Sequence, residues 1–482
     1  VNGDGRDLAS WRDPWGFVYR RHGVLLRQVN ERAADEWYAF SESALATQLV
    51  SCGWLLPWEP APIEQAADPD RAVAVLRPEP LGFISWPYEW TFGELKAAAL
   101  LTLDVQLAAL EAGFSLRDAS AYNVQFRGVT PVLIDHLSFE RLPAGKPWVA
   151  YRQFCEHFLA PLALTARVDP RLGRMLRDHL EGVPLDLAAR LLPTSTRFRL
   201  GLGAHIHLHA RSMRQNADAG STAREASLSS TRLRQLVVSL RQTVEGLHWE
   251  PSGTEWAEYA DVSHESYASG DGKSSAKAAL VRGLLGVGDG RVCWDLGANT
   301  GVFSAVAAEA GYRVYAFDAD LAAAERHFQA LSKAGRKETT PLVMDLADPS
   351  PSQGWHERER RGLVERGNAD VLLGLALIHH LAIGRNVPLP MVLDLFADLA
   401  SDAIVEWVPR EDPMVKRMLA SREDVFDDYT EEGFRKAAEA RFEILSREPI
   451  ESSGRVLYAL RRRDADVPAP LRSEIVAAAV EG

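Results

Sequence analysis

Residues 295–301, DLGANTG, place an acid, two glycines and an asparagine within a single short turn. Glycine lets a backbone turn tightly and approach a ligand closely. A helix beginning just after the turn would offer its free N–H groups to a carboxylate. Two further acids close apolar runs. Asp318, after YAF, is placed to accept hydrogen bonds from two ribose hydroxyls, and Asp345, after LVM, to accept one from an adenine amino group. Asp295, Gly297, Asn299, Gly301, Asp318 and Asp345 thus read as one binding surface for an adenosyl ligand. Further on, LIHHL sets His379 and His380 at the mouth of that surface, where an imidazole can take a proton from a hydroxyl near neutral pH. Glu406, in VEW, is the second candidate base, or equally a partner for an amine substrate or a neighbouring backbone.

Strand ends must carry these groups. Apolar runs at 291–296, 312–317, 342–344, 369–377 and 403–407 alternate with helical stretches at 302–310, 321–334 and 388–400. Residues 442–447 and 455–461 read as a hairpin with Ser452-Ser453-Gly454 near its turn. Such alternation predicts a parallel sheet covered by helices on both faces, with ligands at the carboxyl ends of the strands. Residues 256–273, which contain Tyr267 and Lys273, are expected to close over the ligand. The long insertion 348–361 is expected to offer Trp355 for stacking on a substrate, with the charge run 357–361 as a solvated helix face.

DLGANTG and YAFD, at 315–318, resemble the first two motifs of the class I S-adenosylmethionine-dependent methyltransferases. The glycine spacing is GxNxG, unlike the GxGxxG of dinucleotide binders. The resemblance implies a Rossmann-like α/β domain, a seven-stranded sheet with a terminal antiparallel hairpin, and S-adenosylmethionine as cofactor. DPSPSQGW, LIHHLAIGRNVPLP and VEWVPREDPMVKRMLASRED are similar to a bacterial methyltransferase group that includes the rhizobial nodulation protein NoeA. In that resemblance Arg410 and Asp412 match the segment after the fifth strand and are expected to line the acceptor pocket.

The first half reads differently. Residues 16–29 form a hairpin, a helix follows over 33–52, short strands lie at 72–76 and 82–85, and a long helix spans 92–112. Arg117-Asp118 is followed by Asn123, and then by PVLID ending in Asp135. This order resembles the protein kinase and aminoglycoside phosphotransferase superfamily, which implies an α+β kinase-like domain. Asp118, Asn123 and Asp135 would match the groups that take the hydroxyl proton and hold magnesium. No glycine-rich phosphate loop precedes them, Arg27 is the nearest cation to the position of the strand-three lysine, and Glu42 is its candidate partner. A degenerate kinase-like body is therefore expected, with ATP and magnesium as a lesser alternative. His205, His207 and His209 would share one face of a strand. Without a completing Cys or carboxylate pair they read as structural, and no metal is expected.

The chain has 482 residues, 46% hydrophobic and 25% charged, enough for several cores. Expected boundaries are 1–215 for the kinase-like domain, 216–250 for a linker and connecting helix, 251–463 for the methyltransferase and 464–482 for a tail. A net charge of -12 argues against a broad grip on nucleic acid. The apolar stretch 97–110 contains Asp104 and is too short to span a bilayer. Three unpaired-looking cysteines fit a reducing, cytoplasmic setting. The expected activity is methyl transfer to an oxygen or nitrogen of a small molecule, sugar or natural product, with the first domain aiding acceptor recognition. A bifunctional kinase-methyltransferase and a peptide or protein methyltransferase are the alternatives.

Overall fold

The computed structural model describes residues 5–211, 229–251 and 273–463, apart from 368, 421 and 452. The chain divides into an N-terminal unit, residues 3–250 with 354–359, and a C-terminal unit, residues 251–353 with 360–482.

The N-terminal unit opens on an antiparallel sheet of β1 (Gly5–Arg6), β2 (Gly16–Arg21), β3 (Val24–Asn30), β4 (Trp58–Ala61) and β5 (Ala72–Pro78), in the order β1-β2-β3-β5-β4. Alternating side chains Phe17 and Tyr19 pack with Leu26 and Val75 into a core on one face. The helix expected over 33–52 is broken in two, Ala34–Ser41 and Ala44–Ser51. Ser43 adopts an extended conformation between them and its hydroxyl accepts the Ala46 N–H, which starts a new helix. Residues 82–85, expected as a strand, form none. The helix Phe92–Glu111 begins at a reciprocal cap between Thr91 and Glu94. Two short antiparallel pairs follow: β6 (Phe114–Leu116) with β9 (Phe139–Arg141), and β7 (Val124–Arg127) with β8 (Thr130–Leu133). The helix Ser230–Glu245, expected as a connector, packs along Phe92–Glu111 as part of this unit. Arg241 Nε donates to Asp104 Oδ1 at 2.6 Å, and Lys96 Nζ donates to the carbonyls of Glu245 and Leu247.

The C-terminal unit is built on β10 (Val292–Leu296), β11 (Arg313–Asp318), β12 (Thr339–Val343), β13 (Ala369–Gly374), β14 (Ala400–Trp407), β15 (Phe442–Pro449) and β16 (Val456–Arg462). Their order is β12-β11-β10-β13-β14-β16-β15. The first five run parallel, and β16 runs antiparallel to both β14 and β15. This is the Rossmann-like methyltransferase sheet expected from the motifs. The order reverses between β10 and β13, so the exits of these two neighbours flank the crevice where such sheets hold ligands. Among the described residues, no helix is long and apolar enough to cross a membrane.

Candidate functional site

Three neighbouring parallel strands deliver the acids to one end of the sheet: β10 ends at Leu296, one residue past Asp295, β11 ends on Asp318, and β12 ends two residues before Asp345. The turn after β10 is wound through left-handed conformations at Gly297 (φ 73°), Asn299 (φ 51°) and Gly301 (φ 85°). Its backbone is pinned to β11 at both edges. The amides of Gly297 and Ala298 donate to the Phe317 carbonyl, and the amide of Asn299 donates to Asp318 Oδ2 at 2.7 Å. At Gly301 a side chain has no room, because a Cβ would stand 2.0 Å from His327 Nε2. Gly301 then caps the helix Val302–Glu309.

The two acids nearest the turn differ in task. Asp295 is 2% exposed and accepts the Ser304 hydroxyl at 2.6 Å, which ties the strand to the helix behind the turn. Asp318 accepts one backbone N–H on each oxygen, from Asn299 and from Asp320, and keeps a partly exposed edge. Burial pushes both carboxyls up to about 6, against the hydrogen bonds that favour ionisation. Asp345 bonds to the Ala347 amide and pairs with Arg385 at 2.9 Å.

On the other side of the crevice, β13 leads into a turn at Ala376 (φ 49°) and then a π-helical turn, His380–Gly384. His379 is 1% exposed and His380 is partly exposed, with ring centroids 4.0 Å apart. Burial first, and then the charge of Arg455, pulls His380 down to about 4. The more buried His379 is pulled well below the usual imidazole range, by burial and then by its neighbour His380. Both rings are therefore neutral at pH 7.

Glu406 does not stand as a free base. It is 0% exposed; its Oε2 accepts Lys277 Nζ at 2.6 Å and the Ala376 amide at 2.8 Å, and its Oε1 accepts Arg455 Nη1 at 3.3 Å. Lys277 and Arg455 hold its carboxyl below the usual range although burial opposes them. Arg410, expected in the acceptor pocket, donates to the Phe426 carbonyl and pairs with Asp424, so it fastens the segment after the fifth strand. Asp412 caps Met414 and accepts Arg455 Nε at 2.9 Å. Trp355 is exposed, is grouped with the N-terminal unit and lies 6.3 Å from Trp11. The charge run beside it is a turn, with His356 and Glu357 in left-handed conformations. Glu359 is buried there and accepts the Trp355 amide, the reverse of a solvated helix face. Tyr267 lies outside the described residues. Lys273 begins the helix Lys273–Leu285, and its side chain lies outside them too.

In the N-terminal unit, the loop after β6 and the exit of β8 bring Asp118, Asn123 and Asp135 together. Burial raises the Asp118 carboxyl first and the charge of Asp135 second, while Gln153 and Asn123 bond to it. Asp135 is already paired: Arg27 on β3 donates to its Oδ1 at 2.5 Å, Ser138 donates to Oδ2, and the Leu137 amide adds a third bond. Arg27 also reaches Asp13 at 3.5 Å. Glu42, the expected partner of Arg27, is exposed at the end of its helix. His205, His207 and His209 are helical rather than extended. His205 bridges Tyr151 and Ser239, and His209 packs on the same Tyr151 ring one turn later, while His207 between them meets Thr196.

Lys277, Arg455, Ser304 and His327 carry no sequence signal. Lys277, Ser304 and His327 are ordinary helix residues and Arg455 immediately precedes β16; each is drawn to the site by packing. Arg27 was marked only as the cation nearest the position of the strand-three lysine.

No protein-family model matches the chain. Nodulation protein NoeA of Rhizobium meliloti (strain 1021) is 39% identical over 468 residues, 95% of this chain and 97% of that protein. Magnesium protoporphyrin IX methyltransferase (ChlM) of Synechocystis PCC 6803, solved with bound SAH, is 19% identical. That match covers 44% of this chain and 90% of that one, at a TM-score of 0.29. A TehB-like SAM-dependent methyltransferase of Corynebacterium glutamicum ATCC 13032 Kitasato is 15% identical, covering 43% and 98%, also at 0.29. By its identity and its near end-to-end coverage, the chain belongs to the family of nodulation protein NoeA.

Proposed function

We propose that this chain transfers the methyl group of S-adenosylmethionine to an oxygen or nitrogen of a small-molecule, sugar or natural-product acceptor. The observation that carries the reading is the pinned turn: Gly297, Asn299 and Gly301 lie between two strands, and Asp318 faces the crevice beside them. The residues present fit that cofactor. Buried Asn299 Oδ1 and His379 Nδ1 have no hydrogen-bond partner among the described residues, and the turn is too close-packed at Gly301 for any side chain. Asp318 would hold the ribose, Asp345 the adenine edge, and the glycine turn the amino-acid end. Tyr267 and Lys273 belong to the segment proposed to cover it. When bound, the cofactor supplies a methyl group already activated by its sulfonium, so the protein's task is alignment and exclusion of water. His380, neutral and partly exposed, is the group proposed to accept the acceptor's proton, with His379 shaping the wall behind it.

The N-terminal unit is proposed to be a kinase-like body that aids acceptor recognition. Its strand order, its split helix before β4, and the spacing of Asp118, Asn123 and Asp135 support that reading. The Arg27–Asp135 pair disfavours the alternative of a bifunctional kinase-methyltransferase, because the carboxylate that would hold magnesium already has a cation. Calorimetry with S-adenosylmethionine and with magnesium-ATP tests both. Binding of the first that is lost in Asp318→Ala supports the proposal, and absence of binding in the wild type overturns it.

A further inference from the structure

Glu406 connects parts of the site that the chain leaves far apart. One carboxylate oxygen takes both the Ala376 amide, in the turn after β13, and Lys277, on the helix before β10. The other takes Arg455, at the start of β16. Arg455 is held in turn by Asp412. The cluster contains two cations and two anions. Each is nearly or wholly buried, with side-chain exposures of 6% for Lys277, 0% for Glu406, 16% for Arg455 and 6% for Asp412. In such a setting charge-assisted bonds are strong, and removing one partner is costly because the other stays buried and unpaired.

The amide that Glu406 holds is the informative one. Ala376 stands in the left-handed region (φ 49°), which a residue with a Cβ enters only when its surroundings impose it. The next residue, Leu377, packs against the cofactor turn: a Cβ on Gly297 would lie 3.2 Å from Leu377 Cδ1. Two and three residues on are His379 and His380. The bond from Glu406 to Ala376 therefore sets the wall of the cofactor turn and the aim of both imidazoles at once.

Resting on the methyltransferase reading, we propose that Glu406 is a positioning residue. It locks the strained turn 375–380 against the cofactor turn, and Lys277 and Arg455 keep its charge matched. Lys277 thereby makes the helix Lys273–Leu285 part of the site's scaffold.

The test uses the full chain as wild type, Glu406→Gln, Lys277→Met and the double variant. Three readouts are followed: hydrogen exchange over residues 375–381, imidazole resonances in histidine-labelled protein, and S-adenosylhomocysteine binding by calorimetry. Glu406→Gln is expected to cut protection of the Ala376 amide by about tenfold, the scale of one charge-assisted bond made neutral. It should also move the His379 and His380 signals while leaving His205 in place. Lys277→Met is expected to move those two signals but keep the amide protected, since Glu406 still accepts it. The double variant still lacks the carboxylate, so its Ala376 amide should be as weakly protected, and its S-adenosylhomocysteine affinity as reduced, as in Glu406→Gln. Unmoved imidazole signals and an unchanged Ala376 amide in Glu406→Gln, even with a lowered melting temperature, would overturn the proposal. If the wild type binds no S-adenosylhomocysteine, the methyltransferase reading fails, while the exchange and imidazole readouts still decide what Glu406 does.

Discussion

The strand-end acids of the two regions, Asp318 in one and Asp135 in the other, have opposite electrostatic states, although burial raises Asp118 beside Asp135 as it raises Asp318. In the C-terminal unit, Asp295 and Asp318 are bonded only to neutral donors, a serine hydroxyl and backbone amides, and burial raises both to about 6. In the N-terminal unit, Asp135 has a guanidinium against it, which holds its carboxyl below the ordinary range despite burial. Acids kept without a counter-ion carry a desolvation cost that a ligand can relieve. Acids already paired with an arginine have little left to offer a metal. The contrast separates a site kept for a ligand from a similar-looking one that satisfies itself.

The largest expected effect lies at the turn itself. Gly301→Ala forces a side chain onto His327 at a positive φ and is expected to destabilise the protein by about 3 kcal/mol and abolish S-adenosylmethionine binding. Denaturant melts and calorimetry check it, and a wild-type-like melt would remove the close-packed turn from the argument. At the paired cluster, Arg27→Ala leaves Asp135 and Asp13 without their cation, at a cost of about 3 kcal/mol. Millimolar magnesium is expected to restore part of that melting temperature in the variant and to leave the wild type unmoved. A wild-type response of equal size would mean that the cluster is not self-satisfied. Asp318→Ala is expected to weaken S-adenosylmethionine binding by about 2 kcal/mol, or about 30-fold.

The pH dependence of stability has opposite signs for the Asp295–Asp318 pair and for Asp135. Asp295 and Asp318 sit near 6 folded and about 4 unfolded. Between those values the folded state binds more protons, so the pair makes ligand-free stability fall as pH rises from about 4 to about 6. The full cost is present above that window. The expected loss is about 3–5 kcal/mol for the two carboxyls together, the exposed edge of Asp318 lowering its share. Asp135, being lowered, contributes stability above about 4 that is lost only as pH falls through its folded value. Melts of wild type and Asp318→Asn at pH 5 and pH 7 measure the first part, and a variant with the same pH response as wild type would contradict it. The smallest expected effect is at Arg385→Ala. Its pair with Asp345 is largely exposed, so stability should change by less than about 0.5 kcal/mol and S-adenosylmethionine affinity by about twofold.

The parallel sheet was legible because strand and helix periods alternate cleanly after residue 290, and because an acid stands at or within two residues of the end of each of β10, β11 and β12. The split of the helix over 33–52 was less legible: Ser43 is a strong cap, but one hydroxyl inside an apolar stretch is an ambiguous mark. Glu406 was visible as an acid at a strand end, expected as a second base or as a partner for a neighbouring backbone; the backbone partner is the Ala376 amide, while its two cations lie 129 and 49 residues away along the chain, where no local pattern marks them. The histidine triplet AHIHLH was misread as extended for a related reason. Spacing alone does not reveal that the surrounding segment is helical.

The amino-acid order by itself determined the sheet, the glycine turn and the acids at its edge, since those follow from local periods and backbone freedom. Which acid is free and which is cancelled was decided only by the tertiary structure. Charge pairing depends on cations such as Lys277, Arg455 and Arg27 arriving from other elements, and a carboxylate's state is set by its three-dimensional neighbours rather than by the residues beside it in the chain.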